Sequence, residues 1–267
     1  MSHRRPLTFI LFVFLTTPAA AQIPQPVVAP APSGPEFLSR YDFHMTISKL
    51  NGGDDPQQRF SWDSHFGGSF DVLDYVLGRA SVMVDYEAVM GSELRPFDPN
   101  QANYTLEASL SARVGAAEIA GVFHHVSRHL SDRPKPNAIA WNAPGGRLLR
   151  RFTAAETTID TTFELGRVVQ HSFVDYTWIG GGDVLVRRPV SPQVGIFAHG
   201  SGEVFFVNGT IPKRGTQVGA LFEGGMRVTG RGGVLEVFAG FERRVDAYPL
   251  DRVSQNWVLA GFRLLSR

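Results

Sequence analysis

The stretch GVFHHVSRHL (121–130) gathers side chains able to do chemistry: His124, His125, Ser127, Arg128 and His129. A histidine and a serine two residues apart on an extended strand share one face, about 6.7 Å apart along the chain, and a tilted imidazole reaches the hydroxyl. That arrangement suits nucleophilic acyl transfer, in which the imidazole takes the proton while the oxygen attacks. A plainer role competes with it. His and Arg at the end of a membrane strand meet headgroups, and Arg128 with His129 would then touch lipid phosphates at the rim. A metal site is a third reading. His125 and His129 lie about 13 Å apart along a strand, too far to share one ion unaided, and His124 faces the other way.

Other chemistry is sparse. The chain has no Gly-x-Ser-x-Gly elbow, no His-Glu-x-x-His helix and no phosphate loop. HGSGE (199–203) reads as a tight, small-residue strand. The loop acids Asp54, Asp55 and Asp98 could bind Ca²⁺ weakly, but their spacing is not diagnostic. With no cysteine, disulfides, thiolate zinc sites and Cys nucleophiles are excluded.

The elements that position these residues are those of an exported protein. Residues 1–21 read as a signal peptide: Arg4 and Arg5, then the apolar LTFILFVFL (7–15), too short to span a bilayer, then small residues before a cut after Ala21. Cleavage takes two of the 26 basic residues and none of the 25 acids, turning a formal +1 into −1. A near-neutral chain makes no electrostatic case for nucleic acid. Residues 22–36 are Pro-rich and read as an extended, mobile tether. No later apolar run is long enough for a membrane helix, so entry into a membrane requires a closed β-barrel.

Period-two patterning supports such a barrel. In NYTLEASLSARVG (103–115), Tyr104, Leu106, Ala108, Leu110, Ala112 and Val114 oppose Asn103, Thr105, Glu107, Ser109, Ser111 and Arg113 without a break. Segments 59–71, 76–90, 217–228 and 234–245 repeat the alternation. Strands of roughly 9–11 residues, apolar outside and polar inside, suit a transmembrane barrel better than a soluble sandwich. Short turns near 72–75, 115–116 and 229–233 alternate with longer polar loops at 51–58, 91–102 and 131–150, as barrel topology requires. In 151–213 the GGG at 180–182 is either a kink or a turn. The fold class is therefore all-β, a single antiparallel transmembrane β-barrel of 10 or 12 strands, with twelve favoured, over residues 37–267. A soluble secreted β-barrel or sandwich is the competing class.

The segment 117–130 follows a short turn and precedes a long loop, so its far end lies at the outer rim. Its odd positions would face lipid and its even positions the lumen. His125-Val126-Ser127 resembles the His-x-Ser pair that outer-membrane phospholipase A and the barrel-type lipid A deacylases carry on a lipid-facing strand near the outer rim. The resemblance implies that His125 takes the proton, Ser127 attacks an acyl ester, and an Asn or Glu on a neighbouring strand orients the histidine. Arg128 stands where the family motif has Asn. If the strand 151–169 returns beside 117–130, its lipid-facing residues are Thr157, Ile159 and Thr161, with Glu156 and Asp160 inward, and Asn137 or Asn142 serves only if its loop folds back. HHVSRHLSD (124–132) is also similar to a pattern in an uncharacterised family of predicted bacterial outer-membrane proteins.

The sequence thus points to an outer-membrane barrel, located there after signal-peptide cleavage, with a charged lumen and a non-catalytic structural or narrow-channel role. Arg79, Asp85, Glu87, Glu107, Arg113, Glu118, Glu223 and Arg227 are the expected lumen-lining residues. The alternative is a surface lipid hydrolase using His125 and Ser127. The expected partners are outer-membrane lipid and the barrel-assembly machinery, with no cofactor; Ca²⁺ enters only under the hydrolase reading.

Overall fold

Alternation this regular leaves each strand with one greasy and one polar face, and both are satisfied when the sheet closes on itself. A computed structural model describes residues 27–266 and shows that closure. The signal peptide and the first residues of the tether lie outside the described residues. The strands are β1 (Glu36–Asn51), β2 (Trp62–Asp74), β3 (Arg79–Gly91), β4 (Asp98–Val114), β5 (Ala117–Leu130), β6 (Ile139–Ala154), β7 (Thr157–Arg167), β8 (Gln170–Ser172), β9 (Tyr176–Pro189), β10 (Val194–Val207), β11 (Gln217–Thr229), β12 (Val234–Arg244) and β13 (Gln255–Leu265). Each pairs antiparallel with the next, except that the three-residue β8 attaches to the side of β6 and β7 pairs directly with β9. The seam between β1 and β13, from His44 opposite Leu265 to Asn51 opposite Val258, closes a twelve-stranded barrel with β8 as an extra.

Two expectations about the middle of the chain are corrected. Residues 131–150 are not one long loop, because β6 begins at Ile139. The strand beside β5 is consequently β6, and Thr157, Ile159 and Thr161 lie one strand further on, in β7. The GGG at 180–182 is neither kink nor turn: it runs within β9, opposite Gly202 and Glu203 on β10. The first short turn falls at 75–78, slightly later than the sequence suggested.

The outer wall is apolar, with Phe66, Val84, Leu110, Phe163, Phe222 and Val258 all exposed. The lumen holds the charges. Arg79 bonds Asp71 and Glu118, each at 2.7 Å, and Arg147 bonds both oxygens of Glu107 (2.6 and 2.5 Å) and Glu164 (2.7 Å). Arg244 joins Asp63, Glu87 and Glu242, while Arg263 joins Glu223 and Glu236. Arg227 also reaches Glu236, at 3.1 Å. His44 and His65 both lie against Asp85, at 2.7 and 2.8 Å. Each arginine named here has a carboxylate at hydrogen-bond distance, the condition under which buried charge is tolerated.

Both mouths are narrowed. At the rim of short turns, the periplasmic side by the usual rule for bacterial barrels, Arg79 donates to the Val27 carbonyl (2.7 Å) and Arg113 to that of Ala29 (3.3 Å). The end of the Pro-rich segment is thereby anchored in the mouth. Arg113 also clamps Asp74 with two bonds, at 2.9 and 2.5 Å. At the opposite rim the connection 245–254 folds inward and buries Val245 and Ala247. Between them lies a cavity of about 310 Å³.

Candidate active site

Near the long-loop rim the wall carries a polar patch built by β4, β5, β6 and β8. On β5, Ile119 and Phe123 face outward while Glu118 is fully buried, so the odd positions form the outer wall. His125, Ser127 and His129 follow on that wall, each partly buried. The strand register fixes their neighbours: Leu106 and Asn142 flank His125, and Tyr104 and Ala140 flank Ser127.

Asn142, which the sequence offers only as a loop residue folding back, reaches this place on a strand. On β6 it stands directly opposite His125, with its Oδ1 2.7 Å from His125 Nδ1. Its Nδ2 donates to Gln170 Oε1 on β8 at 2.8 Å, and its backbone carbonyl accepts from the Val169 N–H at 3.0 Å. Asn142 Oδ1 faces the imidazole and can only accept, so their hydrogen bond places the His125 proton on Nδ1. That leaves Nε2 with a free lone pair, the state a general base needs.

The inner face holds these residues still. Trp141 and Ala143, on either side of Asn142, belong to a buried cluster with Val168, Tyr176, Phe205 and Val245, and Val126 packs against it from between His125 and Ser127. Trp141 meets Tyr176 edge-on at 5.3 Å, and the Tyr176 hydroxyl donates to Asp246 Oδ2 at 2.5 Å. Side chains locked on the inside fix the outward aim of their neighbours, since successive residues of a strand point to opposite faces.

Ser127 bonds a different histidine. Its Oγ lies 2.9 Å from His129 Nε2, and the His129 ring sits edge-on to Tyr104 at 5.6 Å. His125 and Ser127 share the face without a direct hydrogen bond among the described contacts. A resting site often lacks a catalytic bond that tightens once substrate is present.

Arg128, expected at the headgroup rim, turns inward instead. It donates to the carbonyls of Asp246 (2.7 Å) and Ala247 (2.9 Å) and to Gln101 Oε1 (2.8 Å). Its even position puts it on the lumen side, where it pins the inward-folded 245–254. His129 is on the outer wall. The structure places Arg79, Asp85, Glu87, Glu107, Arg113, Glu118, Glu223 and Arg227 on the inner face, all in the ion pairs described above except Asp85, which faces the two histidines.

Among the described residues two inward groups have metal-ligand composition, Asp63–His65–Glu87 and Glu107–His124–Glu164. Arg244 already bonds both acids of the first, and Arg147 both acids of the second. A guanidinium in each centre supplies the positive charge that an ion would bring. The loop acids are also engaged: Asp55 accepts from Arg59 at 3.1 Å, and Asp98 from Arg133 at 2.5 Å. On the outer wall the rows through His125 and Ser127 comprise Leu106, Asn142, Gln170, Tyr104, Ala140 and Ser172, with no carboxylate. Such neutral donors are a poor fit to Ca²⁺, whose protein sites are built largely on carboxylates.

No protein-family model and no curated protein sequence matches the chain. Among solved structures it is similar to outer membrane phospholipase A from Escherichia coli, with a TM-score of 0.51 and 12% identity over 84% of this chain and 92% of that one. The calcium-bound dimer of the Salmonella typhi outer membrane phospholipase gives the same TM-score and identity over 84% and 90%. At that identity the likeness is one of fold: the chain is a closed twelve-stranded barrel of the outer-membrane type.

Proposed function

We propose that this barrel is a lipid acyl-ester hydrolase whose site lies on its outer wall, with Ser127 as nucleophile, His125 as general base and Asn142 as the residue that orients His125. The observation that carries this reading is the 2.7 Å contact between His125 Nδ1 and Asn142 Oδ1, on the same face as Ser127. The pair sits in a polar patch at the rim, beside Ser127, His129 and Gln170, where an acyl ester at the membrane surface would meet it.

The chemistry follows from the tautomer. With Nδ1–H held by Asn142, His125 Nε2 takes the Ser127 proton as Oγ bonds to the ester carbonyl carbon. The carbonyl π pair moves onto its oxygen. Collapse expels the lysolipid alkoxide, which takes the proton from His125, and water then releases the fatty acid by the same route. Leu106, Tyr104 and Phe123 on the surrounding wall offer apolar surface for acyl chains.

A structural barrel without catalysis is the second reading, favoured by the bond of Ser127 to His129 rather than to His125. One assay decides between them. The refolded full chain in detergent is given diacyl phospholipid, and fatty-acid release is compared with that of Ser127→Ala. The hydrolase reading requires release that drops by about 10³-fold or more in the variant. Equal release from both, or none from a folded wild type, would sink it.

A further inference from the structure

The contact between Ser127 Oγ and His129 Nε2 has no part in the mechanism above, yet it touches the attacking oxygen. His129 is not a loose surface residue. Its ring is braced edge-on by Tyr104, which in turn sits 5.2 Å from Tyr86, and its backbone N–H donates to Asn103 Oδ1 at 3.3 Å.

Proton counting assigns the direction of the bond. A serine hydroxyl has one hydrogen to give and two lone pairs to receive with. If that hydrogen goes to His125 Nε2, His129 can bond the same oxygen only by donating its own Nε2–H. The two histidines are also unequal. His125 has an orienting amide on its other ring nitrogen, whereas among the described residues His129 has no such partner. The base role therefore belongs to His125, and a donor is what His129 can be.

We propose that His129 is a further catalytic residue of this site: a donor that first fixes the Ser127 oxygen and then stabilises the carbonyl oxygen as it becomes negative. The proposal rests on the hydrolase reading. In the tetrahedral adduct the Ser127 oxygen and the oxyanion hang from one carbon, and the His129 donor lies 2.9 Å from the first of them. As Oγ attacks, its proton passes to His125 and the carbonyl electron pair becomes the oxyanion. The His129 N–H shifts its hydrogen bond to that oxygen without being transferred. On collapse the alkoxide leaves with the proton held by His125, and His129 Nε2–H returns to Oγ. The His129 imidazole thus supplies an electrophilic contact from the chain itself.

The test uses the refolded full chain in phosphatidylcholine–detergent mixed micelles, each rate being read both with Ca²⁺ and with EDTA, with folding of every variant checked by heat-modifiable gel mobility. Wild type, Ser127→Ala and His125→Ala are compared with His129→Phe and His129→Gln. Phenylalanine keeps the ring against Tyr104 but has no donor, while glutamine keeps an N–H and cannot act as a base. The expected result is a loss of about 10²-fold in kcat for His129→Phe with KM little changed, and activity within about tenfold of wild type for His129→Gln. His129→Leu replaces the Phe variant if that one does not fold. Wild-type rates in both His129 variants would overturn the proposal by making His129 a bystander. Both variants as inert as Ser127→Ala, with His125→Ala still active, would overturn it by making His129 the base. An inert, folded wild type would overturn the hydrolase reading and this inference together, a result distinct from an active enzyme indifferent to His129.

Discussion

His125 and Asn142 face one another across the β5–β6 register, with Nδ1 and Oδ1 2.7 Å apart on the outer wall of the barrel. The sequence separates them by 17 residues and a connection at the rim. If Asn142 sets the tautomer and aim of His125, Asn142→Ala should lower kcat by about 10- to 100-fold, the equivalent of about 1.4–2.7 kcal/mol in barrier height. Asn142→Asp keeps an acceptor at the same place and should retain more activity. Steady-state kinetics of the two variants on a diacyl lipid check the ordering, and an Ala variant as fast as the Asp variant would contradict it.

Arg147 should be a structural keystone rather than part of the chemistry. It is buried and satisfies two acids, Glu107 on β4 and Glu164 on β7, with His124 beside them. Arg147→Met removes the shared cation and leaves the carboxylates facing each other in the lumen. The expected cost is about 3–5 kcal/mol, read as a shifted urea midpoint for unfolding from detergent. Replacing both acids as well, by Glu107→Gln and Glu164→Gln, should recover most of it. Failure of that triple variant to recover would show that the loss lies in packing instead of charge.

Little ion flow is expected through the centre. The lumen is crossed by the pairs around Arg79, Arg147, Arg244 and Arg263, the 245–254 connection folds into one mouth, and the chain at Val27 and Ala29 is bonded in the other. Twelve strands enclose an interior far narrower than the sixteen or more of open porins. Planar-bilayer recordings should therefore lack porin-sized single-channel steps. Such steps would mean that the interior pairs open in a membrane.

Gly145 should be intolerant of a side chain. A Cβ there would lie 2.5 Å from the Leu165 carbonyl oxygen and 2.8 Å from the Gly166 Cα on β7. These are backbone atoms, which cannot move aside as a side chain can. Gly145→Ala should push β6 from β7 at a point three residues from Asn142, at a cost of about 1–3 kcal/mol, and disturb the aim of Asn142. Fatty-acid release should fall more than the folded fraction does. An unchanged activity would show that β6 absorbs the shift.

Much of the architecture is legible in the chain because most strands obey one rule, apolar outward and charged inward. Tyr104 to Val114 follow it with apolar residues outward and polar or charged ones inward, whereas beside the outward Phe222 and Val237 the inward Leu221 and Phe238 depart from it and join a buried apolar cluster. β6 breaks the rule at the site itself. Ile139, Trp141 and Ala143 are the inward residues and are apolar, Trp141 and Ala143 belonging to the buried cluster with Tyr176 and Phe205. Asn142 and Pro144, the outward ones, are respectively polar and a turn former. That inversion, followed by two glycines, resembles a loop, which is why the sequence offers Asn142 as a loop residue rather than as the strand neighbour of His125. Arg128 was misplaced for a related reason: its type suits a headgroup rim, but parity along β5 aims it inward. The bond between Ser127 and His129 is a choice of rotamer, which no pattern in the sequence encodes.

Arg244 bonds Asp63 across 181 residues of sequence, and Arg263 reaches Thr46 across 217. Contacts at that separation cannot form while the chain is open. Pairs such as Arg79 with Asp71 and Arg147 with Glu107 join nearby strands and can form earlier, but until β1 meets β13 the bonds of Arg244 to Asp63 and Glu87 cannot form and those groups remain hydrated. Closure of the seam is the step at which these end-to-end charges meet. A chain arrested one strand short is a sheet whose end-to-end charges stay unneutralised. Loop closure over so long a span is slow, and the insertion of this protein should be limited by the joining of its two ends rather than by the zipping of its hairpins.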